Sequence, residues 1–524
     1  MSHYRKPVYA PRGVCATSQP LAAAVGAGVL QRGGNAVDTA IAAAATLTVL
    51  QPGSNDIGGD LFAIVWDGQR LHGLNGSGRA PAALTREAVR PGPDGGMPVR
   101  GWPAVTVPGA PAGWRDLHDR FGSLPFRELL ADAIGYAEHG YPVSPTVAQS
   151  WAAGVARHAE LTGPEYAEWG RVWTIDGRAP RAGQQWRNPD AARTLRLIAD
   201  SRADAFYHGE IGQALADHAA RTGGFLTAAD LAGHSSSWVD PVAADYRGHQ
   251  VWELPPNGQG IAALLALNLL DGLDLSGADE VERRHTEIEA MKLGFADAQA
   301  YVADPDLVEV PTAALLSRAY ADRRRAEIGP VAADPKPGDP ARGGTVYLCT
   351  ADADGRMVSL IQSNFQGFGS YVAVPGYGFG LQNRGAGFSL DPDHPNVLAP
   401  GKRPFHTIIP GFLTRDGAPV GPFGVMGGHM QPQGHVQLMV RTLDEGRDPQ
   451  AALDAPRWFW PAGRRVHAEP ELGEAVLAGL RSRGHEVTAG EAFFGYGQAI
   501  WRLPDGTGYV AGSEPRADGC AVGF

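Results

Sequence analysis

Between Gly343 and Gly369 the chain reads GGTVYLCTADADGRMVSLIQSNFQGFG, and no other stretch constrains the fold as much. Thr345 opens a β-strand that turns at Asp354-Gly355, a dipeptide suited to tight turns, and returns as a second strand. If the peptide bond between Gly344 and Thr345 breaks, Thr345 gains a free α-amine beside its own hydroxyl. One residue then supplies both nucleophile and base. Read in isolation, threonine is a common strand former and Gly-Gly a common loop pair, so this segment alone favours a purely structural explanation.

The two sides of this point have different textures. Upstream, Ser18 is placed to cap a helix with Pro20 in its first turn, and Leu21, Val25 and Val29 share a face until Gly33-Gly34. Val37, Ile41, Ala45 and Thr48 carry a second helix to Gln51-Pro52, and Leu61 to Trp66 form a strand after a glycine-rich loop. The middle of the chain reads mainly helical. Ala332 to Arg342, rich in Pro, Gly and charge, reads as a mobile surface segment. From Thr345 onward short alternating strands predominate: Val346 to Ala351, Val358 to Phe365, then VHAEP and QAIWRLPDG.

Composition narrows the function classes. A chain of 524 residues with 44 % hydrophobic residues can build a substantial core. Its net charge of −11 comes without runs of like charge, which leaves no electrostatic footprint for nucleic acid or an anionic membrane. No apolar run approaches the ~18 residues of a membrane span, and the N-terminal MSHYRKPVYAPRG lacks an apolar signal core. Cys15, Cys349 and Cys520 are few and scattered, which argues against a disulfide framework or a zinc site. A cytoplasmic location is expected.

Several segments together resemble the γ-glutamyltransferase superfamily of self-cleaving threonine hydrolases, in that family's order and over nearly the full length. They are the helix pair SQPLAAAVGAGVLQRGGNAVDTAIAAAATLTVLQP, the loop and strand SNDIGGDLFAIVWDG, the extended YRGHQVWELPPNGQG, the helix HTEIEAMKLGFADAQAYVADPD and the nucleophile segment itself. The resemblance implies an α+β fold, the αββα four-layer sandwich of the N-terminal-nucleophile hydrolases. It also implies cleavage at Gly344/Thr345 into a helix-rich large subunit, residues 1–344, and a sheet-rich small subunit, residues 345–524. No metal or organic cofactor is implied. A homodimer of the processed heterodimer is one assembly it allows.

Carried residue by residue, the resemblance makes Thr345 the nucleophile, Ser363 its supporting hydroxyl, and Gly427 and Gly428 the oxyanion-hole pair in GVMGGHMQPQGHVQ. His429 and His435, six residues apart, are assigned to packing and site polarity. The family's asparagine two positions after the supporting hydroxyl is replaced by Phe365. Its substrate arginine is replaced by Ser77, with Arg79 two residues later. In LQNRGAGFS, Arg384 stands where relatives have glutamine and Gly387 where they have the aspartate that pairs a substrate ammonium. The Ser-Ser pair after KRP becomes His406-Thr407.

Losing that aspartate leaves a buried substrate ammonium unpaired, a cost of several kcal/mol. Arg79, Arg384, His406 and Thr407 are therefore read as pocket residues for an acyl group with a carboxylate and no α-amine, since arginine holds carboxylates bidentately. Only residues 389–401 separate FxS from KRP, which leaves little chain for a lid and favours hydrolysis over transfer. The expected activity is cleavage of a small amide, oxamate-like or glutaryl-like, by water through an acyl-enzyme. Two alternatives stay open: authentic γ-glutamyl transfer or hydrolysis, and an unprocessed, non-catalytic binding protein.

Overall fold

A computed structural model describes residues 5–334, 344–490 and 492–524. Two seven-stranded antiparallel sheets stack face to face. The first runs, edge to edge, through Cys520–Gly523, Val14–Thr17, Gly344–Ala351, Met357–Phe365, Asp60–Trp66, Leu71–Asn75 and Ser237–Val239. The second runs through Val8–Ala10, Tyr509–Ser513, Tyr496–Arg502, Ala418–Met426, Gly411–Arg415, His249–Glu253 and Val242–Tyr246.

Period-two alternation decides which side chains meet which layer. Phe62, Ile64, Tyr347, Cys349, Met357 and Ile361 point between the sheets, where they meet Phe412, Met426 and Ile500. Their alternate neighbours Leu61, Ala63, Val65, Val346, Leu348, Val358 and Leu360 point outward into a helical layer that includes Pro20–Gln31, Ala36–Leu50 and Ala110–Phe121. Helices Gly260–Asp271, Glu280–Tyr301 and Met430–Leu443 cover the second sheet. Strands apolar on both faces need helices outside them, and the result is the αββα sandwich.

Local details differ from the sequence expectation in two places. The first helix is capped by Gln19, whose Oε1 accepts from the N–H groups of Leu21 and Ala22. Ser18 instead donates its hydroxyl to Gln51 Oε1 at 2.7 Å, tying the start of the first helix to the end of the second. Of the polar stretch 332–342, residues 335–342 lie outside the described residues, as does Gly343. Residues 332–334 do not hang free: Ala332 N–H donates to Arg483 O at 2.7 Å, and Lys292 Nζ donates to Ala333 O at 2.8 Å. Among the described residues no helix is long and apolar enough to cross a membrane.

Candidate active site

Strand register gathers the site. Gly344 pairs with Phe365 and Val346 with Gln362, so the second strand carries an extra residue, and Ser363 and Asn364 both stand opposite Thr345. Thr345 has the parity of Tyr347, and Ser363 that of Ile361, which turns both hydroxyls into the space between the sheets. Thr345 Oγ1 lies 3.0 Å from Ser363 Oγ, and both residues are fully buried. Ser363 Oγ also accepts the N–H of Phe365 at 2.7 Å, a contact permitted by the positive φ of 73° at Phe365. Asn364 goes the other way, donating to Pro52 O at 3.1 Å, so it does not replace the missing asparagine.

On the far side of Ser363 its register partner is Asp60. Asp60 is the buried hub of a polar cluster that the sequence reading missed. Arg384 Nε donates to Asp60 Oδ2 at 3.1 Å, and His406 Nε2 donates to the same oxygen at 2.6 Å. Burial by itself would raise the Asp60 carboxyl, but Arg384 and His406 outweigh it and hold it below the usual range. Burial, followed by the neighbouring Arg384 charge, pushes His406 down to about 4. The imidazole is therefore neutral at pH 7, accepting from Ile408 N–H on Nδ1.

Arg384 does not line an open pocket as expected. It is almost wholly buried, its guanidinium packs over the Phe365 ring at 4.7 Å, and its Nη1 donates to Thr407 Oγ1 at 2.7 Å. Arg384 Nη2 finds no hydrogen-bond partner among the described residues. Thr407 does face a cavity of about 620 Å³, shared with Phe365, Gly387, Phe388, Phe405 and His429. Asp94 and Asp391 line the same cavity from exposed positions.

Arg79 is drawn away from this cavity. Its guanidinium bonds Asp304 at 3.0 Å, Asp306 at 2.5 Å and the Gly401 carbonyl at 3.0 Å. Two carboxylates thus satisfy the charge that the sequence reading had offered to a substrate. Ser77 is buried, donating its hydroxyl to Asn75 Oδ1 at 2.6 Å.

Gly427 and Gly428 form the turn between strand Ala418–Met426 and helix Met430–Leu443. Their φ values of 138° and 58° suit glycine, and a Cβ on Gly427 would sit 2.7 Å from the Phe493 ring. Gln259, also unforeseen, clamps this turn to the pocket wall: its Nε2 donates to Gly428 O at 2.8 Å and Thr407 O at 2.6 Å. His429 Nδ1 bonds Gln259 Oε1 at 3.0 Å, while burial depresses the ring to about 4, so it too is neutral. His435 pairs with Glu253 at 2.6 Å in the core, a packing role.

Away from this site, His285, Glu289 and His485 bring ligand atoms within 4.8 Å of one another. Glu289 already accepts from Lys292 Nζ on Oε1 and from the Ala333 N–H on Oε2, and the two imidazoles share a 2.8 Å hydrogen bond, while His485 Nδ1 has no partner among the described residues. The cluster fits a structural anchor under the 329–334 segment better than a metal site, since His285 Nε2 also bonds Gly329 O.

The Gamma-glutamyltranspeptidase family profile matches residues 22–524. The chain belongs to the gamma-glutamyltranspeptidase family. It is an enzyme of the N-terminal-nucleophile hydrolase type. A cephalosporin acylase from Bacillus halodurans superposes with a TM-score of 0.95 at 52 % identity, over 99 % of this chain and 97 % of that one. The glutathione hydrolase-like YwrD proenzyme of Bacillus subtilis is 35 % identical, covering 96 % of this chain and 97 % of its own length. An oxamate amidohydrolase proenzyme of Klebsiella pneumoniae is also 35 % identical, with 98 % of each chain covered. These family relatives carry three different substrate names, so the pocket has to be read on its own residues.

Proposed function

We propose that this family member cleaves itself between Gly344 and Thr345 and then hydrolyses small amides with Thr345 as nucleophile. In the first reaction Oγ1 bonds the Gly344 carbonyl carbon, the Gly344–Thr345 C–N bond breaks, and the hydroxyl proton ends on the new amine. Water then hydrolyses the ester, which releases the Gly344 carboxylate and a free Thr345 hydroxyl. In turnover the amine, with an ordinary pKa of about 7.7–8.0, takes the Oγ1 proton as the hydroxyl attacks the substrate amide, and passes it to the departing amine. Amides at the Gly427-Gly428 turn would meet the developing oxyanion. Water repeats the sequence on the acyl-enzyme.

The observation that carries this reading is the 3.0 Å contact between Thr345 Oγ1 and Ser363 Oγ at a bulged strand start, with Phe365, two residues past Ser363, and His429, the residue after the glycine turn, both lining the cavity of about 620 Å³. Thr345 is fully buried while Gly344 keeps its register with Phe365. Cleavage therefore has to come before substrate access.

The acyl group is inferred to carry a carboxylate or oxo end and no α-ammonium. At Gly387, where an ammonium-binding aspartate would stand, a Cβ would lie 2.6 Å from Phe405 O, so the wall has no room for that side chain. Thr407 Oγ1, polarised by the buried Arg384 guanidinium that donates to it, offers its hydroxyl proton to an anionic or oxo end. Oxamate-like and glutaryl-like amides both meet this description. The name of the Bacillus subtilis relative favours γ-glutamyl amides as the second reading.

Intact mass and three assays test the proposal together. Wild-type protein should yield a fragment starting at Thr345, and Thr345→Ala should remain one species of 55.2 kDa without activity. Glutaryl-p-nitroanilide or oxamate should be turned over faster than γ-glutamyl-p-nitroanilide. A dominant γ-glutamyl rate overturns the pocket assignment, and an uncleaved wild type overturns the nucleophile.

A further inference from the structure

Gln259 fixes where the proton sits on the His429 ring. Its Nε2 spends both hydrogens, on Thr407 O at 2.6 Å and on Gly428 O at 2.8 Å, so the amide oxygen is the atom that meets His429 Nδ1 at 3.0 Å. An amide oxygen only accepts, and the His429 proton is therefore on Nδ1. Nε2 is left as a bare lone pair on a neutral ring.

That lone pair has no hydrogen-bond partner among the described residues, and it is not sealed in. The fully buried side-chain atoms that lack a partner include Arg384 Nη2 but not His429 Nε2. His429 is half-buried and lines the cavity of about 620 Å³. Its ring packs at 68° to Phe295, with centroids 5.8 Å apart, and lies 6.1 Å from Phe405, which lines the same cavity. With Nδ1 tied back to Gln259, Nε2 is the polar edge that this side chain presents to the opening.

Thr407, on the same wall, has the opposite polarity. Its Oγ1 accepts from Arg384 Nη1 at 2.7 Å, which leaves the hydroxyl proton for the cavity. One glutamine side chain thus holds together a residue that donates and a residue that accepts. Burial alone depresses the His429 ring, with no charged group contributing. An ammonium set against Nε2 would find a hydrogen bond without a counter-charge, and a carboxylate would meet a lone pair with its own. A hydroxyl or amide N–H is fully satisfied by that single acceptor.

We propose that His429 Nε2 is the acceptor for an uncharged hydrogen-bond donor on the acyl group, a hydroxyl or amide N–H carried beside the carboxylate or oxo end that Thr407 meets. The proposal rests on the acyl reading of this cavity and adds a substrate class to it, amides of hydroxylated diacids ahead of amides of the plain diacids.

Glutaryl-p-nitroanilide and the 5-(p-nitroanilide) of 2-hydroxyglutarate differ by one hydroxyl next to the free carboxylate. Wild-type enzyme should favour one enantiomer of the hydroxylated anilide by about fivefold in kcat/KM, the scale of one added neutral hydrogen bond. His429→Asn keeps an N–H at the place of Nδ1 for Gln259 and has nothing at the place of Nε2, so the ratio should fall to about one. His429→Gln, whose amide oxygen reaches the place of Nε2, should restore part of the preference. Titration calorimetry with the free acids, 2-hydroxyglutarate and glutarate, reads the same preference without turnover. Nitrogen NMR of protein labelled at histidine should show one bare Nε2 resonance that moves with 2-hydroxyglutarate and stays with glutarate.

Equal handling of the two acids by wild type overturns the proposal. So does a preference that survives His429→Asn, including the case in which both rates fall together. Glutamate bound more tightly than 2-hydroxyglutarate overturns it as well, since the donor would then be charged. A protein that cleaves no anilide and still binds 2-hydroxyglutarate over glutarate through His429 keeps this acceptor and removes the nucleophile reading instead.

Discussion

Ser363 holds Thr345 through a buried hydroxyl pair and at the same time accepts the N–H of Phe365. Replacing it by alanine orphans that N–H and loosens the nucleophile, a loss of about 1–3 kcal/mol. Ser363→Ala should therefore slow self-cleavage by about ten- to a hundredfold, read as the fraction of full-length band over time after expression. The supporting hydroxyl was legible because its segment, eighteen residues past Thr345, resembles the family's, and the paired strand then brings the two hydroxyls together. Asp60, equally close in the sheet, was not, because nothing local distinguishes it from any aspartate before a strand.

His406 gives a second prediction at this scale. Above pH 6.5 it is neutral in both folded and unfolded protein, so its burial costs no proton. Between 6.5 and about 4 the unfolded chain takes up a proton that the folded protein refuses, so stability falls as pH falls through that window. The low pKa of Asp60 acts in the same direction at still lower pH. Denaturant unfolding of His406→Asn, which should be less stable at pH 6.5, ought to converge on wild type by about 2 kcal/mol at pH 4.5. Parallel pH curves for the two proteins would contradict this assignment.

Among the structural elements, the decisive one is the bulge that sets Ser363 and Asn364 against Thr345. Alternation indicated both strands, but a one-residue irregularity leaves no clear trace in a hydrophobic pattern, and it decides which side chain faces the nucleophile. The same limit applies to the short helical turn Arg384–Gly387. An aligned arginine suggested a pocket residue, yet the turn folds Arg384 inward onto Asp60 and lets Thr407 face the cavity. Gly387→Asp should not create γ-glutamyl activity. Its Cβ would press on Phe405 O, and the melting temperature should fall in keeping with an overpacking cost of about 1–3 kcal/mol. A stable variant with new γ-glutamyl-p-nitroanilide turnover would refute this reading of the wall.

At the scale of the whole molecule, both sheets mix strands from the two sides of the proposed cleavage point. In the first sheet, Gly344–Ala351 lies between Val14–Thr17 and Met357–Phe365, and the latter pairs with Asp60–Trp66. In the second, Gly411–Arg415 pairs with His249–Glu253. Breaking one peptide bond leaves these ladders and the inter-sheet core intact. The two pieces, the smaller about 19 kDa by its 180-residue share, should elute together on size exclusion and separate only in denaturant. Elution as two native species would show that the interleaving does not hold the pieces together.

Chain periodicity by itself determined the helix pair and the hairpin strands, because each of these depends on neighbours a few residues apart, whereas Thr345 stood out only through the resemblance of its segment to a known family. The tertiary structure alone decided that Asp60 meets Arg384 and His406, that Gln259 ties the glycine turn to Thr407, and that Arg79 spends its charge on Asp304 and Asp306. Those partners lie 148 to 346 residues apart in the chain. Only the order of strands in the sheets brings such distant groups within bonding distance, and burial then forces each charge to find a counter-charge from whatever the fold has placed beside it.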